Sequence, residues 1–123
     1  MAKLETNDLK GDQIQMPDFN LNCFNIYQCP VTSTMEVIGG KWKAMILFLI
    51  HKGVNRFGRL AGLLQGVSKR TLTKQLRDLE RDGILHREVY AEVPPRVEYS
   101  LTEKGHSLLP IVKSLYEWGE QQR

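Results

Sequence analysis

One stretch, Ser68 to Gly83, constrains the fold more than any other. It opens on a serine, whose hydroxyl caps a helix N-terminus, and closes on a glycine, which readily takes the left-handed backbone that ends one. Counting about 100° per residue from Ser68 places Leu72, Leu76 and Leu79 at about 40°, 80° and 20°, a single apolar stripe. The same count places Arg70, Lys74, Arg77 and Arg81 at about 200°, 240°, 180° and 220°, with Thr73 beside them at about 140°. The leucines predict a helix anchored in a core, and the cations predict a positive face turned to solvent. Any surface helix exposes charge, so a solvated basic face is the plain explanation. Against it, the acids Asp78, Glu80 and Asp82 are confined to the C-terminal half, and the leading two turns carry none.

The flanking segments give this helix its company. Pro30 suits a first helical turn, where its missing N–H goes unused. Val31, Met35 and Ile38 follow at i, i+4 and i+7 before Gly39-Gly40 stops the run. Lys41 to Lys52 predicts a second helix with Trp42, Met45, Ile46, Leu49 and Ile50 on a wide apolar face and Gly53 at its end. Phe57 to Leu64 predicts a short third helix, ended by Gly66. Beyond Gly83, Ile84 to Ala91 reads as a strand, Pro94-Pro95 as a hairpin tip where no ladder donor is needed, and Arg96 to Leu101 as a half-buried strand of alternating polarity. Thr102 predicts the cap of a last helix reaching about Gln121, which Pro110 should bend by removing a donor to the His106 carbonyl. The expected class is mainly α with a small β-hairpin wing, a winged helix-turn-helix. Residues 1–22 are expected to be a flexible, polar tail, and residues 23–123 the domain.

Charge sharpens the picture. Residues 41–87 carry eleven Lys and Arg against three Asp and Glu, whereas residues 1–40 and 88–123 are net acidic, so a total of +3 conceals a basic centre. That is the electrostatic footprint of a polyanion-binding surface. The longest apolar run, Ala44 to Ile50, is far short of the ~20 residues a bilayer span needs, and the polar N-terminus lacks a signal-peptide core, so a cytoplasmic location with no membrane partner is expected. Two cysteines are too few for a disulfide scaffold. Cys23 and Cys29 lie apart, and His51, His86 and His106 are scattered, so no metal and no cofactor are expected. No Walker loop, nucleophile elbow, HExxH or paired-acid arrangement suggests an enzyme.

The chemistry of the fourth helix follows from its side chains. Arg presents a fork to guanine O6 and N7, while Lys and Thr reach phosphates or base edges. Ser68 opens the helix, where backbone N–H groups and the positive dipole end favour a phosphate. The candidate DNA-binding residues are Ser68, Lys69, Arg70, Thr71, Thr73, Lys74 and Arg77, with Arg96 at the wing tip placed for a minor groove or flanking phosphates. Two other functions compete. A winged helix can be a protein–protein module, which would not need the acid-free leading turns. An enzyme using Cys29 as nucleophile would need a histidine and an orienting group nearby.

An ordered set of short motifs carries a family resemblance over about residues 23–120. They are Cys29-Pro30-Val31, Ile38-Gly39-Gly40-Lys41-Trp42, Phe57-Gly58-Arg59-Leu60, Val67 to Thr73, Gln75 to Leu85, Pro95 to Thr102, and Gly105, Leu109, Pro110 and Trp118-Gly119. The chain resembles the HxlR (DUF24) group of winged-helix regulators, related to the MarR group. The resemblance implies a homodimer with extra N- and C-terminal dimerisation helices, one recognition helix per subunit, and a pseudo-palindromic double-stranded operator, often repressed. Two recognition helices on a two-fold axis meet successive major grooves ~34 Å apart. The last helix supports a dimer separately, since Leu108, Leu109, Ile111, Val112, Leu115, Tyr116 and Trp118 cover more than one face; the alternative is a small domain that uses all of them in its own core. The resemblance also implies a sensing role for a cysteine at the position of Cys29, beside a helix start that lowers a thiol pKa, with Cys23 as a candidate resolving partner and an oxidant or small molecule as effector. A buried, inert Cys29 remains the alternative.

Overall fold

A computed structural model describes Gln15 and residues 29–123. Apart from Gln15, the expected tail over residues 1–22 lies outside the described residues, as does Cys23. The chain divides into two compact units, residues 1–33 and 34–123. Of the first, Cys29 to Ser33 form the entry to a helix: the Cys29 carbonyl accepts the Ser33 N–H at 3.0 Å, and Ser33 Oγ donates to the Pro30 carbonyl.

The element order is α1 (Pro30–Ile38), α2 (Lys43–His51), α3 (Phe57–Leu63), α4 (Lys69–Arg81), β1 (Leu85–Tyr90), β2 (Arg96–Leu101) and α5 (Glu103–Gln121). This is the predicted helix-turn-helix with a two-stranded wing. The start of α2 differs from the sequence expectation, whereas α5 reaches Gln121 as expected. Residues 40–42 form a turn and α2 begins at Lys43, because Gly40 takes φ +89°, a left-handed backbone that a right-handed helix cannot include. α5 runs unbroken through Pro110, which stands inside the helix without ending it.

The core of the second unit is built from Ile38, Ile46, Leu47, Ile50, Leu60, Leu64, Leu72, Leu76, Leu79, Ile84, Leu85, Tyr99 and Val112. Leu72, Leu76 and Leu79 are the leucines the helical count placed on one stripe, and all three are buried. Each leucine taken fully out of water contributes about 1.5–3 kcal/mol, so α4 is pinned by its inner face.

The wing is antiparallel, in register from Leu85 opposite Leu101 to Tyr90 opposite Arg96. Val97, Tyr99 and Leu101 share the inner face of β2, with Tyr99 buried. The Tyr99 N–H donates to the Asn55 carbonyl at 3.0 Å, which ties the wing to the α2–α3 connection. Gly83 takes φ +76°, the left-handed backbone that turns α4 out into β1. Thr102 closes the other end. Its Oγ1 accepts the Gly105 N–H at 3.0 Å and donates to the Gly83 carbonyl at 2.6 Å, so one hydroxyl caps α5 and fastens it to the exit of α4.

Candidate nucleic-acid interface

Ser68 has extended backbone and its Oγ accepts the Thr71 N–H at 3.0 Å while donating to Thr71 Oγ1. Both side chains are therefore spent on starting α4, and what Ser68 offers outward is the backbone of the first turn. From there Lys69, Arg70, Thr73, Lys74, Arg77, Asp78 and Arg81 line one continuous open surface. Lys69, Arg70, Lys74, Arg77 and Arg81 are exposed and Thr73 is half-buried. Of the candidate residues, Arg70, Thr73, Lys74 and Arg77 thus come together as the helical count predicts, and Lys69, which the count did not place, joins them.

The cations on this surface are not equivalent. Lys74 Nζ donates to Asp78 Oδ2 at 2.9 Å, and Arg81 Nη1 to Asp78 Oδ1 at 3.1 Å, with Arg81 Nε also 3.4 Å from Asp82. Among the described residues, Arg70 and Arg77 meet no carboxylate, so their guanidinium forks are uncommitted. Asp78 is half-buried, and its carboxyl is held below the ordinary range, first by the Lys74 hydrogen bond, against the effect of burial, and then by the charges of Lys74, Lys43 and Arg81.

Two residues take roles that sequence reasoning missed. Lys43, counted above with the basic centre, is 8% exposed and lies 3.8 Å from Asp78, so it faces inward from α2 to α4 rather than outward. Nothing local in the sequence marks this pairing, because it depends on how two helices pack. Arg87 on β1 joins Arg77, Thr73, Glu80, Phe57 and Tyr99 around a second hollow between α4, the wing base and the start of α3. Its place within a predicted strand next to a basic helix was the available signal.

Arg96 stands apart from this surface. It opens β2 opposite Tyr90, stacks on the Tyr90 ring at 3.8 Å, and gives Nε and Nη2 to Glu92 and Nη1 to Glu98 at 2.6–3.2 Å. These two carboxylates raise the guanidinium pKa above its ordinary value, and Arg96 in turn lowers that of Glu92. The geometry is a clasp across the wing.

Cys29 immediately precedes α1 and is half-buried. Among the described residues no three His, Cys, Asp or Glu side chains group as metal ligands, and no helix is long and apolar enough to cross a membrane.

A leucine-anchored helix that presents five exposed cations, set beside a two-stranded wing, defines a winged helix-turn-helix DNA-binding protein. The chain belongs to the HxlR-like helix-turn-helix family, whose model matches residues 37–123. An uncharacterised HTH-type transcriptional regulator of Bacillus subtilis (strain 168), YybR, is 52% identical over 103 residues, covering 80% of this chain and 82% of the relative. Among solved structures, the redox regulator HypR in its oxidised form is 53% identical with a TM-score of 0.74, covering 77% of this chain and 98% of that one. The reduced form of the transcriptional regulator YodB from B. subtilis is 30% identical with a TM-score of 0.65, covering 76% and 93% of the two chains. The family role is transcriptional regulation through DNA binding, not enzymatic catalysis.

Proposed function

We propose that this transcriptional regulator acts as a homodimer that inserts one α4 per subunit into successive major grooves of a pseudo-palindromic operator and represses the adjacent gene. The observation that carries this reading is the one-sided surface of α4, on which Arg70 and Arg77 project with no acid to occupy them. Their forks suit guanine edges, whereas Lys69, Lys74 and Thr73 suit phosphates, and the first-turn backbone at Ser68 and Thr71 suits another. Arg96 holds the wing in shape through its clasp rather than gripping DNA. The dimer reading is supported by the apolar side chains that the core leaves exposed on α5, namely Ile111, Leu115, Tyr116 and Trp118, together with Met45 on α2. The experiment is selection of a binding sequence from random DNA by the purified protein, followed by footprinting. Two protected half-sites about one helical turn apart support the reading. A uniform affinity for all duplexes contradicts it and favours a protein-docking role.

Thiol control through Cys29 is the finer part of this proposal. HypR is described as a redox regulator, and in this chain Cys29 occupies a helix entry, where the dipole favours a thiolate and so oxidation. Operator binding by wild type should fall on treatment with peroxide or quinone and return with reductant, and Cys29→Ser should not respond. Equal responses of the two proteins would make Cys29 structural.

A further inference from the structure

Among the described residues, Asp78 is the one carboxylate lining the cationic surface of α4. Its two oxygens are divided between two of the exposed cations: Oδ2 takes Lys74 and Oδ1 takes Arg81, at 2.9 and 3.1 Å. Those side chains are 70% and 68% exposed, so they stand at the face the DNA meets. Behind Asp78 lies Lys43 of α2 at 3.8 Å, its side chain 10% exposed. The carboxylate is thus anchored from the core and engaged from the surface. The distances rank its roles, because the two hydrogen-bonding contacts go to Lys74 and Arg81 and the longer one to Lys43.

We propose that Asp78 is a specificity-determining residue, which withholds Lys74 and Arg81 from indiscriminate phosphate contact so that binding depends on what Arg70 and Arg77 read. This rests on α4 being the DNA-reading helix. Non-specific affinity is almost entirely backbone electrostatics, and each cation that neutralises a phosphate steepens the salt dependence by about 0.9. A negative charge inside the cationic surface lowers that sequence-blind attraction. It also holds Lys74 and Arg81 in one arrangement, so a phosphate competes for them only where the backbone lies in the register that Arg70 and Arg77 fix. Discrimination is a difference of affinities, and weakening the wrong complex raises it as surely as strengthening the right one. Arg70 and Arg77 are seven residues apart on one helix face, about 10 Å along the axis, which is about three base-pair steps.

The test uses the full chain and two duplexes of equal length, one selected from random DNA by wild type and one scrambled. Binding is followed by fluorescence anisotropy over a range of salt. Asp78→Asn is expected to bind the scrambled duplex about tenfold tighter with a steeper salt slope, to change less on the selected duplex, and so to lose about tenfold in discrimination. Because Asp78→Asn leaves the buried Lys43 ammonium unpaired, Asp78→Asn with Lys43→Met is the second variant, and the same loss is expected. Lys43→Met alone should lower the melting temperature and keep discrimination within about twofold of wild type. Unchanged discrimination in both Asp78 variants overturns the proposal, as does an equal loss in Lys43→Met, which would make Asp78 a packing residue. Failure of the underlying reading is separate: Arg70→Ala and Arg77→Ala would then bind the selected duplex as wild type does.

Discussion

Asp78 and Arg96 show what single residues contribute. The Asp78 carboxyl titrates below its ordinary value, chiefly through the hydrogen bond from Lys74. A lowered folded-state pKa stabilises the fold fully above the unfolded-state value, about pH 4, and that stabilisation is lost as pH falls through the lowered one. The stability advantage of wild type over Asp78→Asn should therefore shrink in acid unfolding series below about pH 4; parallel curves would show that the ion pairs contribute nothing to folding. Arg96 makes its contribution inside the wing. Arg96→Ala should speed amide exchange along β1 and β2 while leaving the salt slope of DNA binding unchanged, whereas Lys74→Ala should flatten that slope by about 0.9. A flattened slope in Arg96→Ala would restore Arg96 to the phosphate contacts. The cationic stripe was legible because helical period alone puts Arg70, Lys74, Arg77 and Arg81 together. The partners of Asp78 and Arg96 were only partly legible. Lys74 and Arg81 lie within a helical turn of Asp78, but Lys43 reaches it through packing of α2 on α4, and Glu92 reaches Arg96 only once the turn has folded back.

At the scale of elements, the caps were the most legible features, since an N-cap is a local hydrogen bond. Ser68 and Thr102 each accept the N–H three residues on, as their positions before polar–apolar helical repeats suggest. The start of α2 was misplaced because the periodic pattern begins at Lys41 while the backbone turns until Trp42. What the sequence does not reveal is the closeness of α5 to the α4–β1 junction. Gly105 sits there, buried, and a Cβ on it would meet the Ile84 carbonyl oxygen. That oxygen is backbone and already accepts the Thr102 N–H at 3.1 Å, so it has little room to yield. Gly105→Ala should lower stability by about 1–3 kcal/mol in urea unfolding, despite the better helix propensity of alanine. A stability equal to or above that of wild type would show that α5 can slide at this crossing.

For the whole molecule, charge and exposed apolar surface point to two different partners. The basic centre converges on α4, and Ile111, Leu115, Tyr116 and Trp118 of α5 remain exposed. The dimer proposal predicts that wild type sediments as a dimer at micromolar concentration. Leu115→Glu combined with Trp118→Glu should give a monomer with unchanged far-UV circular dichroism and a large loss of operator affinity. A wild-type monomer would remove the two-fold operator. Doubling α4 doubles the reading surface, and the claim on which everything else depends is that Arg70 and Arg77 on that surface read bases. The direct measurement is a cycle between side chain and base pair, in which wild type, Arg70→Ala and Arg77→Ala are each titrated against the selected operator and against versions with one base pair changed in both half-sites. Each alanine variant should lose about 1–3 kcal/mol on the intact operator and become indifferent to one base pair that wild type discriminates, a different one for each arginine. Variants that bind as wild type, or that remain as sensitive as wild type to every base pair, would contradict the account.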